Sequence, residues 1–388
     1  MGSTEYFQNL NEKKFRSQEE RHRLERRLEA AMSMQWTPNA EDAESGLTDP
    51  SIKVRSAMHS RKDIHLSTEQ VERGLCDPAW KVRLSVVKRN DFTPSAEQVA
   101  RGLAEDSISI VTAWTRRKDF TVLPEYVENG LKSHNAEIRK LWAGMSGVTH
   151  SQEQISRGVM DRSEDVRLVF LKRYIDDVSQ ECMDFAIKGG RLSKMEILKY
   201  QGFAPTPEQV EEGLCDEDNV VRVLWSKRGD FTPTPEQVER GLADWYWEVR
   251  LAWAKRRDFT PTWEQAFEGL VDKERDVIRA AWAARTDFTP TPRQVERGLT
   301  DLFQSVRMAW ITREGWTPTF AQIERGLTSG SSVELRAWLN RSDVEVSSEQ
   351  IDRGLSSSNS EVVKVWKSKV ASLHDASLEF DTDDTMSL

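Results

Sequence analysis

The sequence is poor in the residues that build metal centres and disulfides. Its 388 residues include three cysteines and six histidines. Cys76, Cys182 and Cys215 lie far apart, and no two histidines have the spacing of metal ligands, so we expect neither a disulfide framework nor a metal site. Cys76 and Cys215 occupy a position at which other copies of an internal repeat carry alanine. We therefore expect small, buried thiols in a reducing compartment.

Long apolar runs and catalytic motifs are absent as well. No segment reads as a signal peptide or a membrane span, which predicts a cytoplasmic protein. The sequence contains no phosphate-binding loop, no nucleophile with an accompanying base and no carboxylate pair that stands out, so we expect no enzyme and no cofactor. Apolar residues make up 38% and charged residues 31%, a balance typical of a thin fold whose segments all stay close to water.

The negative charge is concentrated at one end of the chain. The segment after Lys369 contains five acidic residues and no Lys or Arg, so about half of the net charge of −9 arises there. The remainder is only mildly acidic, which neither requires nor excludes a polyanionic partner.

A repeat of 28 residues fills most of the sequence. The spacing is 28 except for one unit of 27, from Asp176, and one of 29, from Phe259. Such periodicity indicates stacked copies of one supersecondary unit. The twelve copies begin at Trp36, Ile64, Phe92, Phe120, Val148, Asp176, Phe203, Phe231, Phe259, Phe288, Trp316 and Val344, and these residues define repeat position 1.

Each repeat carries the signals of two helices. In Thr206-Pro207-Glu208-Gln209, the threonine can cap a helix, the proline suits its first turn and the glutamine can reach back to the cap. Gly213 then marks a frayed helix end. A second helix is expected to open at an aspartate, as at Asp77 or Asp244, and to stop before the next Phe-Thr-Pro. This pattern predicts an all-α, right-handed superhelical α-solenoid of about twelve 28-residue helical hairpins.

A column of tryptophans occurs at repeat position 23 of the second helix. Positions 19, 23 and 26 share the arc that faces the neighbouring hairpin. An aromatic column can serve as a ligand platform, but this placement favours packing in the core. The column consists of Trp114, Trp142, Trp225, Trp253, Trp282, Trp310, Trp338 and Trp366.

Aspartate and arginine recur six residues apart at the start of the second helix. The aspartate can cap the helix, and the arginine can reach the aspartate of an adjacent hairpin to form a ladder between repeats. Catalytic acids would require one pair to differ from the others, so we interpret the set as structural. The pairs are Asp49/Arg55, Asp77/Arg83, Asp161/Arg167, Asp216/Arg222, Asp244/Arg250 and Asp301/Arg307.

These motifs resemble a known repeat family. A helical hairpin with Asp-x-x-x-x-Val-Arg at its second helix is similar to the HEAT-like superfamily. The segment DPAWKVRLSVVKRNDFTPSAEQV, residues 77–99, resembles the leucine-rich-repeat variants in particular. The resemblance covers residues 36–370, although such repeats are usually shorter and rarely carry the tryptophan. It implies an α-solenoid with a binding role and names no ligand.

The flanks and one irregular stretch complete the domain organisation. Residues 1–35 are predicted to form a charged N-terminal capping helix, with a dimerising coiled coil as the alternative. The twelve-repeat solenoid spans 36–370, and residues 371–388 read as a disordered acidic tail. The repeats are irregular at 120–202, which marks either a relaxed part of the superhelix or a binding site.

Two surfaces are candidates for binding. The first is a basic stripe at position 25 of the second helices, a track that nucleic-acid phosphates could follow; the helix dipole alone also favours basic residues there. The second is an aromatic group, Trp245, Tyr246, Trp247 and Trp263, which suits a protein hot spot or fills a wider gap beside the 29-residue unit. The stripe consists of Lys88, Arg116, Lys172, Lys199, Lys227 and Lys255.

The sequence thus predicts a cytoplasmic, non-enzymatic scaffold that binds a macromolecular partner along the solenoid surface. A protein partner is the first hypothesis, and nucleic acid bound by the basic stripe is the alternative. Neither a membrane nor a metal is expected to take part.

Overall fold

The protein is all-helical in a computed structural model, which describes the backbone of residues 3–33 and 35–383 and the side chains of residues 18–33 and 35–373. Over those backbone ranges there are 25 α-helices, one short 3-10 helix (Ile175–Asp177) and no strand. The chain divides into two compact units, residues 1–202 and 203–388. Every predicted repeat contains two helices, so the predicted helical-repeat solenoid is confirmed; the hand of the superhelix stays a prediction.

The first unit contains thirteen helices within its described residues. They are α1 (Ser3–Met32), α2 (Ala40–Leu47), α3 (Ile52–Ser60), α4 (Thr68–Leu75), α5 (Trp80–Val87), α6 (Ala96–Leu103), α7 (Ile108–Thr115), α8 (Pro124–Leu131), α9 (Ala136–Ala143), α10 (Gln152–Val159), α11 (Glu164–Tyr174), α12 (Gln180–Ala186) and α13 (Arg191–Lys199).

The second unit contains twelve helices within its described residues. They are α14 (Pro207–Leu214), α15 (Asn219–Lys227), α16 (Pro235–Leu242), α17 (Trp247–Lys255), α18 (Trp263–Leu270), α19 (Asp276–Ala283), α20 (Pro292–Leu299), α21 (Gln304–Thr312), α22 (Phe320–Leu327), α23 (Ser332–Leu339), α24 (Ser348–Leu355) and α25 (Ser360–Asp383). Inside each unit, the second helices of consecutive repeats pack side by side.

The first helix of a repeat begins where its capping signature predicts. The Thr206 hydroxyl accepts a hydrogen bond from the backbone N–H of Gln209 at 3.3 Å, and the Gln209 side chain accepts one from the Thr206 N–H at 2.8 Å. The same reciprocal pair recurs in repeats along both units. These boxes satisfy two N–H groups that a helix leaves free at its start.

The second helix begins later than predicted, because the aspartate anchors the preceding loop instead of capping the helix. Asp77 accepts a hydrogen bond from the N–H of Ala79 at 2.8 Å, whereas α5 starts at Trp80. Asp244 holds the N–H of Tyr246 in the same way at 2.8 Å. The aspartate therefore fixes the geometry of the loop between the two helices.

The tryptophan column lies in the core, as predicted, with each indole at most 3% exposed. It also explains a glycine whose role the sequence did not reveal. A Cβ at Gly213 would lie 1.9 Å from Nε1 of Trp225, and one at Gly298 would lie 1.8 Å from Nε1 of Trp310. Gly213 does lie at the helix end, one residue before the last residue of α14. Its role is also to leave room for the indole of Trp225, which packs directly against it.

A buried arginine at position 26 joins each regular repeat to the one before it. Arg256 donates from one terminal nitrogen to the carbonyls of Ser226 and Arg228, at 2.9 and 2.6 Å, and from the other to the carbonyl of Phe231 at 3.1 Å. Its guanidinium carbon lies 4.6 Å from the ring centre of Phe231. The side chain thus satisfies carbonyls at the end of the preceding second helix, which have no partner within that helix.

The helix α1 packs against α3 in the way that the second helix of a preceding repeat packs against the next one. Arg61 donates to the carbonyls of Ala31 and Ser33, at 3.2 and 2.7 Å. Ala31 is buried against α3 in a small apolar cluster, and Arg27 pairs with Asp49 at 3.0 Å. These contacts are those that one repeat makes with the next.

The C-terminal segment differs from its prediction. The helix α25 continues to Asp383, whereas the sequence predicts disorder from residue 371; residues 384–388 lie outside the described part of the chain. Acidic residues do not prevent a helix, and 360–383 contain neither Gly nor Pro, the two residues that interrupt helices most strongly.

The irregular stretch keeps its hairpins but changes its polar contacts. Gly189 replaces the loop aspartate, so Arg167 meets the Ser193 hydroxyl at 3.4 Å instead of a carboxylate. Glu164 accepts hydrogen bonds from the N–H groups of Leu192 and Ser193 at the start of α13. Whether the stretch acts as a hinge or as a binding site stays a prediction.

The three thiols are free, and the expectation that all are buried is wrong for two of them. Cys182 is buried, whereas Cys76 and Cys215 are exposed. Both exposed residues directly follow a first helix, at its C-cap, where the side chain leaves the packed face.

We predict that Gly298→Ala destabilises the protein by about 2 kcal/mol, as overpacking does. Helix propensity alone predicts the opposite sign, because alanine in a helix interior is about 1 kcal/mol more favourable than glycine. Urea denaturation followed by circular dichroism measures the change. Gly330→Ala is the control, since a Cβ there meets nothing within 4 Å. A stabilised Gly298→Ala variant would contradict the close approach of Trp310.

Candidate protein-binding surfaces

An apolar groove opens on the second helices of the first two repeats. It is about 970 Å³ in volume and runs between the end of α1 and the helices α3 and α5. Three large side chains stand exposed along it: Met32, Ile52 and Trp80, with 66%, 46% and 44% of their surface accessible. Ala31, Leu28 and Ala57 line it further. Contiguous exposed apolar surface of this kind is characteristic of a site that another molecule covers.

The rim of the groove is positively charged. Lys53, Lys62 and Lys81 line it, and its lining contains no aspartate or glutamate. All three lysines are exposed, and none has a carboxylate within ion-pair distance among the residues that the structure describes. The fourth cation of the lining, Arg61, is already paired with Asp63 at 2.5 Å. The Lys81 ammonium lies 5.7 Å from the ring centre of Trp80. The groove therefore combines an apolar floor with three cations that have no ion pair in the described residues.

The sequence carries only a weak signal for this groove. Ile52 and Trp80 both stand at repeat position 17 of the second helix. In later repeats that position carries polar residues at Asn219, Gln304 and Ser332, but apolar residues at Ile108, Leu192 and Trp247. The groove also requires the end of α1, which lies outside the repeat.

The aspartate/arginine ladder between repeats is confirmed. The arginine of one repeat binds a carboxylate of the next and also donates to a backbone carbonyl of the loop in its own repeat, as Arg55 does to Asp49 and Arg139 to Ser133. Glutamate replaces the aspartate as acceptor for Arg83 and Arg307, and Asp272 is joined by Glu274. The pairs are Arg55–Asp77, Arg83–Glu105, Arg139–Asp161, Arg222–Asp244, Arg250–Asp272, Arg279–Asp301 and Arg307–Glu334.

The ladder positions the most exposed of the predicted aromatic residues. Arg222 donates to both oxygens of Asp244, at 2.8 and 2.9 Å, and its guanidinium carbon lies 5.4 Å from the ring centre of Tyr246. The hydrogen bonds to Asp244 raise the pKa of the Arg222 guanidinium above its ordinary value. Trp245, between the two loop residues that this pair fixes, is 87% exposed.

The four predicted aromatic residues do not form one patch. Trp247 packs, half-buried, against the core, with Arg275 4.9 Å from its ring centre. Trp263 follows the far end of α17, about 13 Å from the loop at the rise of an α-helix. There it stacks on Phe267 with ring centres 5.4 Å apart. The extra residue of the 29-residue unit lies in the loop of that repeat. Arg279 donates to the carbonyl of Asp272, seven residues earlier, whereas Arg250 reaches the carbonyl six residues earlier.

All six residues of the predicted basic stripe are exposed at the ends of their second helices. Lys199 lies 3.9 Å from Glu196, and the other five make no ion pair within the described residues. Each side of the stripe also carries carboxylates, because Asp91 and Asp258 at position 28 remain about one-third exposed while paired with Arg89 and Arg256. The stripe is therefore accessible, but it is not uniformly positive.

The described residues contain no group of three or more His, Cys, Asp and Glu side chains arranged to hold a metal ion. None of the helices in that part of the chain has the length and apolarity needed to cross a membrane.

Fold and surface define the class of the protein: an α-helical repeat solenoid with exposed apolar and basic surface on its second helices. The sequence matches no protein-family model and no curated protein. The resemblance to HEAT-like repeats therefore rests on the quoted motifs and on the helical hairpins.

We predict that Arg222→Lys lowers the free energy of unfolding by about 2 kcal/mol, because an ammonium cannot keep both hydrogen bonds to Asp244 and the one to the Asp216 carbonyl. Arg240→Lys is the control, since the Arg240–Glu211 pair also joins two repeats but is more than 40% exposed and is worth less than about 1 kcal/mol. Urea denaturation of both variants gives the comparison. Equal losses would show that the ladder contributes no more than a surface ion pair.

Proposed function

We propose that this protein is a non-enzymatic scaffold whose solenoid surface binds a protein partner. The observation that carries the proposal is the groove between α1, α3 and α5, where Met32, Ile52 and Trp80 stand exposed beside one another. Its position on the second helices is the surface through which HEAT-like solenoids, which these repeats resemble, recognise their partners. The same resemblance and the absence of a membrane-crossing pattern in the sequence support a cytoplasmic location as part of the proposal.

The chemistry of the groove indicates the kind of segment that it accepts. Burying a large apolar side chain contributes about 1.5–3 kcal/mol when burial is complete, so an apolar segment laid against Ile52 and Trp80 supplies useful affinity. The three free lysines of the rim favour a segment with acidic flanks, because opposite charges raise the association rate and reject basic partners. An amphipathic, acidic segment of a partner protein satisfies both conditions.

Trp245 offers a second contact for a protein. Tryptophan is enriched among the residues that dominate interface energetics, and the Arg222–Asp244 pair holds the loop that presents it. A fixed loop loses little conformational freedom on binding. In our proposal, Trp245 and Tyr246 extend the contact surface, whereas the half-buried Trp247 contributes mainly to the fold. Trp263, which is 59% exposed and stacks on Phe267, offers a separate apolar contact.

Nucleic acid is the second candidate partner. The specific observation in its favour is the exposure of Lys88, Arg116, Lys172, Lys227 and Lys255 without ion pairs in the described residues. Phosphates could use such cations, and binding would then weaken steeply as salt concentration rises. The carboxylates at position 28 and the apolar floor of the groove favour a protein instead.

We predict that Ile52→Ser/Trp80→Ser weakens partner binding by about 2 kcal/mol, or roughly 30-fold, without unfolding the protein. Both residues are nearly half exposed, so their replacement removes little core packing. Affinity capture from nuclease-treated extract, with quantitative mass spectrometry, compares this variant with the wild type. Proteins that the wild type captures from nuclease-treated extract, and that the double variant does not capture, would support the groove as the binding surface.

Leu123→Ser provides the matched control, because Leu123 is also 44% exposed in the same unit and serine suits its N-cap position. It should retain the wild-type partners. Partners that disappear on nuclease treatment would favour nucleic acid. Equal capture by the double variant and the wild type would remove the groove from the binding surface.

A further inference from the structure

The buried arginine at position 26 has a regular carboxylate partner two residues later. In these repeats its Nε donates to one aspartate oxygen at 2.8–3.0 Å, and a terminal nitrogen contacts the other oxygen. Two parallel hydrogen bonds of this kind are among the strongest pairings between a guanidinium and a carboxylate. The pairs are Arg61–Asp63, Arg89–Asp91, Arg117–Asp119, Arg228–Asp230, Arg256–Asp258, Arg285–Asp287 and Arg341–Asp343.

Arg313 has the same buried position without this carboxylate. It is only 3% exposed and donates to the carbonyls of Ala283 and Phe288, at 2.9 and 2.6 Å. The residue two positions later is Gly315, and the Nε of Arg313 has no hydrogen-bond partner in the described structure. Burial lowers the pKa of this guanidinium to about 10. A buried, charged donor without a partner is costly, so the site favours any group that can accept from Nε.

A cleft of about 720 Å³ opens at this arginine, between the ends of α21 and α23. Arg313, Glu314 and Gly315 line one side and Arg336 and Asn340 the other, with Ile311, Trp316 and Val333 as apolar surface. Asp343 also lines the cleft, and its charge is balanced by its ion pair with Arg341 at 2.6 Å. A Cβ at Gly315 would meet nothing within 4 Å, and Arg313 and Gly315 both line the cleft, so there is open space beside the buried guanidinium. Glu314 is exposed and makes no ion pair within the described residues, and neither does Arg336.

We propose that this cleft binds a carboxylate ligand, whose two oxygens take the place of the missing aspartate on Arg313. The seven sister repeats show the geometry that the bound carboxylate adopts. Arg336 adds a second cation that offsets Glu314, and Asn340 adds an amide that can donate. The apolar surface beside them selects a carboxylate attached to an apolar group. This site lies in the second unit and does not depend on the groove of the first.

Nuclear magnetic resonance of the full chain labelled with ¹⁵N-arginine tests the proposal. Phenylacetate is the probe, because it joins a carboxylate to an apolar ring. We expect the Nε–H resonance of Arg313, assigned by its loss in Arg313→Gln, to shift and saturate. Arg313→Gln should weaken binding at least tenfold, measured by calorimetry. Arg293→Gln removes one exposed arginine charge outside the cleft and should bind as the wild type does.

Gly315→Asp keeps the proposal testable if Arg313→Gln fails to fold. It leaves Arg313 in place and supplies an internal carboxylate. The backbone there has φ of +83°, which aspartate adopts more readily than most residues. We expect phenylacetate binding to fall at least tenfold in this variant. Unchanged binding in Gly315→Asp would overturn the proposal.

A comparison of two probes shows whether the carboxylate belongs to a partner protein or to a small molecule. The peptide Ac-Ala-Asp-Phe-Ala-NH₂ presents a protein side chain, whereas phenylacetate represents a free small molecule. Tenfold tighter binding of one or the other assigns the site to a partner protein or to a small ligand, and either result supports the proposal. Absence of any Arg313 shift with both probes would overturn it. An equal shift with sodium chloride alone would also overturn it, since the cleft would then bind anions generally.

Discussion

The buried arginine at position 26 is the contact on which the regular array depends. A short second helix ends with carbonyl groups that have no partner within the helix. One guanidinium from the next repeat reaches those carbonyls, as Arg256 reaches Ser226 and Arg228. The flat cation also lies against Phe231 and Trp253, and Asp258 balances its charge. A single side chain thus fixes the distance and the angle between neighbouring helices.

The other regularities follow from this spacing. Because adjacent second helices are held close, a large indole such as Trp253 fills the space inside the hairpin, and Gly241 leaves room for it on the first helix. The loop aspartates then line up with the arginines of the preceding repeat to form the ladder. Contacts of this kind reach only from one repeat to the next, as is general for solenoids. The outward positions are left free to vary, and they carry the groove and the predicted stripe.

Much of the fold could be predicted from the sequence because the repeat displays it twelve times. The capping pair at Thr206 and Gln209, the burial of the tryptophan column and the ladder all follow from local rules that each copy repeats. The role of Gly213 could not be predicted in this way, because its close contact with Trp225 joins two different helices. The helical course of residues 371–383 does not follow from their acidic composition, which is typical of disorder. It is compatible with the absence of Gly and Pro from that segment.

The binding surfaces were less predictable, because function lies in departures from the repeat. The groove arises where Ile52 and Trp80 stand beside the end of α1, a contact that involves an element outside the period. The cleft at Arg313 arises where Gly315 replaces an aspartate, which is visible only once Arg313 is known to be buried. Trp245 and Trp263 are near each other in sequence, but the whole of α17 lies between them.

The most direct test of the arginine's role is hydrogen exchange, measured by mass spectrometry, of Arg256→Gln. We expect amides at the end of α15, in residues 229–234 and at the end of α17 to lose protection. Amides of α22 to α25, which lie three or more repeats away, should keep theirs. Unchanged protection around residue 256 would contradict the account, because the repeats would then be held together without this side chain.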